Sequence, residues 1–288
     1  MKPAHPDPVA RYYDQNTARF LRFGGSGATA ALHRQIWAPG VQDAAQAFLY
    51  LNRLVSSAIT PLFEPAALNR HLLDLGCGVG GTATWLAQHH AFQVVGITNS
   101  PVQARLAVER ARRLGLQDAC RFIEADFHAL PGIGEFQAAY AIESFAHARD
   151  PGCFFQQVAA RLVRGGRLVV CDDFLATEPV ATGKPLTRTT SQAVKWVGRF
   201  QAGWQLSSLL PVELVSQLAT AASLVLVAAH DLTAYVRLPR LAVLEIKKTL
   251  TRLPLRGAYW RNLVGGTALQ TCIRQGWTQY QALVWQKS

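Results

Sequence analysis

The chain is predicted to fold as an α/β protein, a doubly wound sheet of seven strands with helical lid insertions. Three observations lead there. An apolar strand, His71-Leu72-Leu73-Asp74-Leu75, runs straight into the glycine-dense turn Gly76-Cys77-Gly78-Val79-Gly80-Gly81, and a helix starts near Thr82. Downstream, short apolar runs alternate with helix-length segments, the rhythm of crossover units around a parallel sheet. Half of the 288 residues are apolar, ample for a core.

Taken in order, residues 9–60 read as interrupted helices. Gly24-Gly25-Ser26-Gly27 is a loop, and Ala38-Pro39-Gly40 breaks the chain before a helix from Asp43 to Ile59. The first strand spans 71–75 and its helix 82–89. The second spans 93–97, and its helix runs from Pro101 to Leu114 with Gly115 as the C-cap. Strands follow at 120–124 and 136–142, then a helix from Pro151 to Leu162 and a strand at 167–172. Beyond Ala176 the rhythm changes. Residues 177–210 carry Trp196, Phe200, Trp204 and basic side chains without clear strands. A helix from Pro211 to Ala222 leads to a strand at 224–229, an Arg- and Lys-rich helical segment covers 237–275, and a strand at 278–286 closes the sheet. The expected organisation is a helical lead or cap over 1–67 and a main domain over 68–288, with lid inserts at about 177–210 and 237–275.

Composition narrows the class. Five cysteines (Cys77, Cys120, Cys153, Cys171, Cys272) are scattered, odd in number and without a C-x-x-C pair. That suits a reducing cytoplasm and argues against a disulfide scaffold or a zinc site. The start lacks an apolar signal region, and the longest apolar run, near 218–229, is broken by Thr220 and Ser223, so a soluble protein is expected. The net charge of +11 is densest at 184–199 and 237–261, outside the 68–176 core. Generic basicity and attraction of an anionic small-molecule substrate are both open readings. No nucleic-acid reader is recognisable. A homodimer is compatible with the sequence.

In the glycine turn, positive φ and the missing Cβ atoms let main-chain N–H groups approach a flat ligand over the strand end. Gly76, Gly78 and Gly81 fit G-x-G-x-x-G, which alone allows a dinucleotide. A nicotinamide enzyme, however, wants an acid on the ribose about 20 residues on, and the second strand ends Gly96-Ile97-Thr98-Asn99-Ser100 without a carboxylate. Four blocks, 73–81, 96–103, 124–131 and 162–173, instead resemble class I S-adenosylmethionine-dependent methyltransferases, over roughly residues 68–176. Their motifs are most similar to the tocopherol, sterol and prenyl C-methyltransferase-like group. The resemblance implies a Rossmann-like methyltransferase fold whose final strand is antiparallel, and S-adenosyl-L-methionine as cofactor.

It further implies a binding set of Asp74, Gly76, Gly78, Gly80, Thr98, Gln103, Asp126, Phe127 and Tyr13. Gln103 would reach the ribose hydroxyls, an amide being both donor and acceptor; otherwise it is a solvated helix residue. Asn99 and Ser100 could simply cap the next helix. Asp126 would accept from the adenine amino group beneath Phe127, or else serve a turn. Tyr13, in Arg11-Tyr12-Tyr13-Asp14, would cover the methionine end.

The segment Ile142-Glu143-Ser144-Phe145-Ala146-His147 resembles the strand end of C-methyltransferases acting on prenyl chains and sterols. There the glutamate removes a proton after methylation, which here implicates Glu143, with Tyr13, Phe145 or Trp196 offering aromatic faces to a cation. Ile142 departs from the Asn of the prenyl pattern, which leaves the substrate class open. Glu143 as a structural carboxylate is the competing reading. His147 is the alternative base for an oxygen or nitrogen acceptor. A small, largely apolar metabolite of terpenoid or prenyl type is the expected acceptor. N- or O-methylation of a secondary metabolite, and a non-catalytic S-adenosyl-binding protein, remain the alternatives.

Overall fold

The computed structural model describes residues 7–23, 30, 32–63, 70–177 and 191–288. The expected loop at Gly24–Gly27 and residues 178–190 of the first insert lie outside them.

Helix α1 (Pro8–Phe23) leads the chain. Helix α2 (Ala44–Ile59) starts where Asp43 accepts a hydrogen bond from the Gln46 N–H at 2.7 Å. The sheet alternation then follows: β1 (His71–Leu75), α3 (Gly81–His90), β2 (Gln93–Thr98), α4 (Pro101–Arg113), β3 (Cys120–Glu124), β4 (Phe136–Ile142), α5 (Pro151–Arg161) and β5 (Leu162–Leu175). Both α4 and α5 begin with a capping side chain followed by proline, Ser100-Pro101 and Asp150-Pro151, whose fixed φ and missing N–H suit a first turn. Gly115, at φ +68°, follows the end of α4 as expected. Helices α6 (Ser191–Trp204) and α7 (Val212–Ala221), strand β6 (Leu224–Asp231), helices α8 (Leu241–Leu250) and α9 (Ala258–Arg274) and strand β7 (Thr278–Lys287) complete the chain.

The sheet order is β3-β2-β1-β4-β5-β7-β6, with β7 antiparallel to both neighbours and the remaining pairs parallel. Apolar side chains bury both faces: Leu73, Leu75, Ala139 and Val170 on one, Leu72, Val94, Ala138 and Val169 on the other. Two expectations need adjusting. Strand β5 runs to Leu175 rather than Asp172, because β7 pairs with it from Arg167 to Leu175. The single helical segment expected over 237–275 is two helices, broken at Leu253-Pro254-Leu255 and at Gly257, where φ is +114°.

This order places the site. Chain order turns back between β1 and β4, so the loops leaving their carboxyl ends diverge and open a crevice. The glycine turn follows β1, and Glu143 follows β4.

Candidate active site

The crevice opens to solvent and, counted with its mouth, encloses about 1010 Å³ of empty space. Its wall includes all of the expected cofactor-binding residues except Gly80, and both expected bases: Tyr13, Asp74, Gly76, Gly78, Thr98, Gln103, Asp126, Phe127, Glu143 and His147.

On the β1–β2–β3 side the wall is largely backbone. The N–H groups of Gly76 and Cys77 both donate to the Ile97 carbonyl, at 3.0 and 2.8 Å, which fixes the turn to β2. Gly76, Gly78 and Gly80 have φ of +91°, +54° and +76°. Their reasons for being glycine differ. A Cβ on Gly76 would collide with the Ser144 side chain, and one on Gly80 would press into the Phe122 ring. A Cβ on Gly78 would meet only Leu32 Cδ1, at 3.4 Å, in ordinary contact. Gly76 and Gly80 therefore serve packing, while Gly78 keeps the pocket floor open to a ligand. This cradle fits a flat, polar-edged cofactor.

Asp74 lies under the turn, 3% exposed, and accepts from the Tyr140 hydroxyl at 2.9 Å. Burial raises its pKa to about 7, with the Tyr140 bond opposing the rise. Gln103 is buried. Its carbonyl accepts from the Thr98 hydroxyl at 2.9 Å, and its amide donates to Thr17 of α1 at 3.3 Å. Ser100 caps α4 and also donates to Asp14 of α1 at 2.5 Å. Part of the amide expected to face a ribose is thus spent docking α1. Asp126 holds the His128 backbone and ring, at 2.9 and 2.6 Å, through one oxygen and Arg149 at 2.7 Å through the other. Burial opposes its ionisation, but the His128 hydrogen bonds and the Arg149 charge prevail and lower its pKa. Phe127 stands edge-on to Phe154, centroids 5.3 Å apart.

On the β4 side the wall carries the side chains of Ile142, Glu143, Ser144 and His147, tied to a cluster behind it on β5 and β7. Glu143 is a non-glycine residue at φ +50°, its own N–H held by the Cys171 carbonyl at 2.8 Å. Its Oε1 accepts from the Arg34 N–H (3.0 Å), the Arg34 Nε (2.7 Å) and the Tyr280 hydroxyl (3.0 Å). The far fork of Arg34 grips both oxygens of Asp173, at 2.9 and 2.5 Å, and the guanidinium lies 4.1 Å over the Tyr280 ring. Burial works against the charge on Glu143, but the Arg34 charge outweighs it and holds the carboxyl below its ordinary pKa. Asp172, beside this cluster, is pushed to about 8 by burial and by Asp173.

His147 is buried, and burial lowers its pKa. Its Nδ1 meets the Gln205 carbonyl at 3.2 Å, so that nitrogen carries the hydrogen, and Nε2 accepts from the Tyr13 hydroxyl at 2.9 Å. His33 is a second buried imidazole on the pocket wall. Its Nδ1 faces the Arg34 carbonyl at 3.1 Å, while its Nε2 has no hydrogen-bond partner among the described residues.

Two aromatic faces expected beside Glu143 lie elsewhere. Phe145 points into the core against Phe154, Phe155 and Phe174. Trp196 packs in the α6–α9 cluster with Phe200 and Leu269. Neither lines the crevice; of the three proposed, Tyr13 does. Arg34, His33, Asp173 and Tyr280 were missed from sequence. The adjacent acids Asp172-Asp173 at the end of an apolar strand were the one usable signal, since buried carboxylates demand a cation.

Residues 72–166 match the methyltransferase-domain family. The O-methyltransferase cnsE of Penicillium expansum is 33% identical over 177 residues, covering 60% of this chain and 61% of that protein. Cycloartenol-C-24-methyltransferase 1 of rice (Oryza sativa subsp. japonica) is 39% identical over 85 residues, 29% of this chain and 25% of that one. The chain spans between a quarter and about three fifths of the length of these curated relatives. Among solved structures, the geranyl diphosphate C-methyltransferase of Streptomyces coelicolor superposes with a TM-score of 0.69 over 99% of this chain and 100% of that one, at 19% identity. At that identity the likeness is one of fold.

Proposed function

We propose that this chain, whose residues 72–166 match the methyltransferase-domain family, is a class I S-adenosylmethionine-dependent methyltransferase that transfers the cofactor's methyl group to a small, largely apolar metabolite, at a carbon of a terpenoid or prenyl-like alkene. The observation that carries the reading is the ionised Glu143 carboxylate, fixed at the pocket wall by Arg34 and Tyr280.

The bound cofactor supplies a methyl group already activated on a sulfonium. The protein's work is alignment, exclusion of water and disposal of a proton. The backbone at Gly78, with Thr98, Gln103, Asp126, Phe127 and Tyr13, holds the cofactor, and Asp74 supports the turn from below. Methylation of an alkene leaves a positive charge on the neighbouring carbon. A preorganised carboxylate stabilises that charge without reorganising. The C–H bond beside such a cation is strongly acidic, so a carboxylate of lowered pKa is base enough to take its proton. The α1 helix, with Tyr13 over the pocket, serves as the lid, backed by residues 191–210 and 237–275 of the inserts.

A second reading rests on His147. Its neutral ring presents Nε2, a suitable base for an alcohol or amine once Tyr13 gives way. The name of the Penicillium relative agrees with oxygen.

Mass spectrometry of products from prenyl diphosphates, sterols, phenols and amines separates the two. On the carbon reading, Glu143→Gln lowers turnover by roughly 10²–10⁴-fold while S-adenosylhomocysteine affinity by calorimetry holds, and His147→Ala does far less. The reverse pattern assigns an oxygen or nitrogen acceptor. Normal S-adenosylhomocysteine binding with no product from any class would mark a non-catalytic binder.

A further inference from the structure

We propose that α8 and the turn after it form a docking face for anionic lipid surfaces. Helix α8 is mounted with its apolar side outward. Leu244 is fully buried and Lys247 and Lys248 are half-buried against the protein, Lys247 reaching Gln270 of α9 at 3.4 Å. Leu241, Val243, Ile246 and Leu250 face outward, 57, 44, 61 and 45% exposed, and Leu253 and Leu255 continue the ridge at 50 and 55%. A short helix inside a soluble core hides such residues, and a run of this length left in water marks an interaction site.

Charge identifies the partner. From Arg237 to Arg261 the chain carries seven basic residues and one acid, Glu245, which pairs with Lys248. Arg240, Arg252 and Arg256 are exposed at the ends of the ridge. Apolar side chains between cations match a helix lying in a headgroup layer: the ridge enters the acyl boundary and the arginines meet phosphates. A nucleic acid would use the cations and leave the ridge in water. Among the described residues no helix is long and apolar enough to cross a membrane, so the contact is superficial.

The face is also coupled to the pocket. Helix α9, beneath α8, carries Asn262, which accepts from the Tyr12 hydroxyl at 3.0 Å, and Tyr259, whose ring lies 3.7 Å under Arg19. Tyr13, next in α1, binds His147. One helix therefore separates lipid from the site. The docking claim does not depend on which atom is methylated.

The test is co-sedimentation of the full chain with vesicles of phosphatidylcholine alone and of phosphatidylcholine with phosphatidylglycerol. Binding is expected to the anionic vesicles and to weaken with salt. Ile246→Asp and Leu253→Asp should each reduce it about tenfold or more, and Arg252→Glu severalfold, with S-adenosylhomocysteine affinity and melting temperature near the parent's. Absence of binding to anionic vesicles by the parent chain overturns the proposal. So does binding indifferent to Ile246→Asp, or a parent dimer in light scattering that Ile246→Asp dissociates, which would give the ridge to a second copy.

Discussion

The two walls of the crevice are built by different rules. The β1–β2–β3 wall is backbone shaped by a turn of six residues, and its partners, Ile97, Thr98 and Gln103, lie within thirty positions. The β4 wall carries side chains, and a knot of further side chains on β5 and β7 holds it from behind. There Arg34, from the segment before α2, meets Glu143 after β4, Asp173 in β5 and Tyr280 in β7. A wall of main chain recognises a constant ligand through N–H groups that substitutions rarely alter. A wall of side chains can be rewritten at single positions. The division fits a fixed cofactor on one side and an acceptor particular to each enzyme on the other.

The contrast breaks first at Arg34. Arg34→Met strands the buried Asp173 and the partly buried Glu143, and stability to urea should fall by about 3–5 kcal/mol. A loss below about 1 kcal/mol would mean that charge does not hold this wall together. Gly78→Val tests the opposite wall. Because a Cβ there meets only Leu32, the fold should survive, although a β-branched residue at positive φ carries some strain. S-adenosylhomocysteine affinity should drop at least about 100-fold, near 3 kcal/mol. Normal affinity by calorimetry would remove the backbone from recognition. The smallest effect sharpens the picture. Asp74 has a folded pKa of about 7 against an ordinary 3.8. The folded state therefore binds the proton more tightly, and its contribution is full below about pH 4 and lost as pH rises through 7. Asp74→Asn keeps an acceptor for Tyr140 and removes that slope. Between pH 5 and 7 the parent should lose roughly 1–2 kcal/mol relative to the variant. Parallel stability–pH curves would place the titration elsewhere.

Sequence reading succeeded where the physics is local. Strands 120–124 and 136–142 match β3 and β4 to the residue, and the caps Asp43 and Ser100 start their helices, because alternation and capping are written within a few positions. The glycine turn was legible for the same reason, although the division of labour between Gly76, Gly78 and Gly80 was not, since it depends on Ser144 after β4 and Phe122 in β3. Arg34 and Tyr280 left no trace. Each is an ordinary residue in its own neighbourhood, and each acquires its role from a partner more than one hundred positions away. Phe145 and Trp196 failed conversely: aromatic residues near the site in sequence went to cores, where their area is worth most.

The insertion of β7 between β5 and β6 sets an order of assembly during synthesis. Strand β6 is made before β7, yet among the described residues β7 is its only neighbour in the sheet. At roughly 5–20 residues per second, β6 waits several seconds for that neighbour. Val225, Leu226 and Val227, which stay half-exposed even in the finished protein, have an unpaired backbone beside them throughout that interval. The newborn chain is adhesive there, and a chaperone that shields one short segment would find a use at β6.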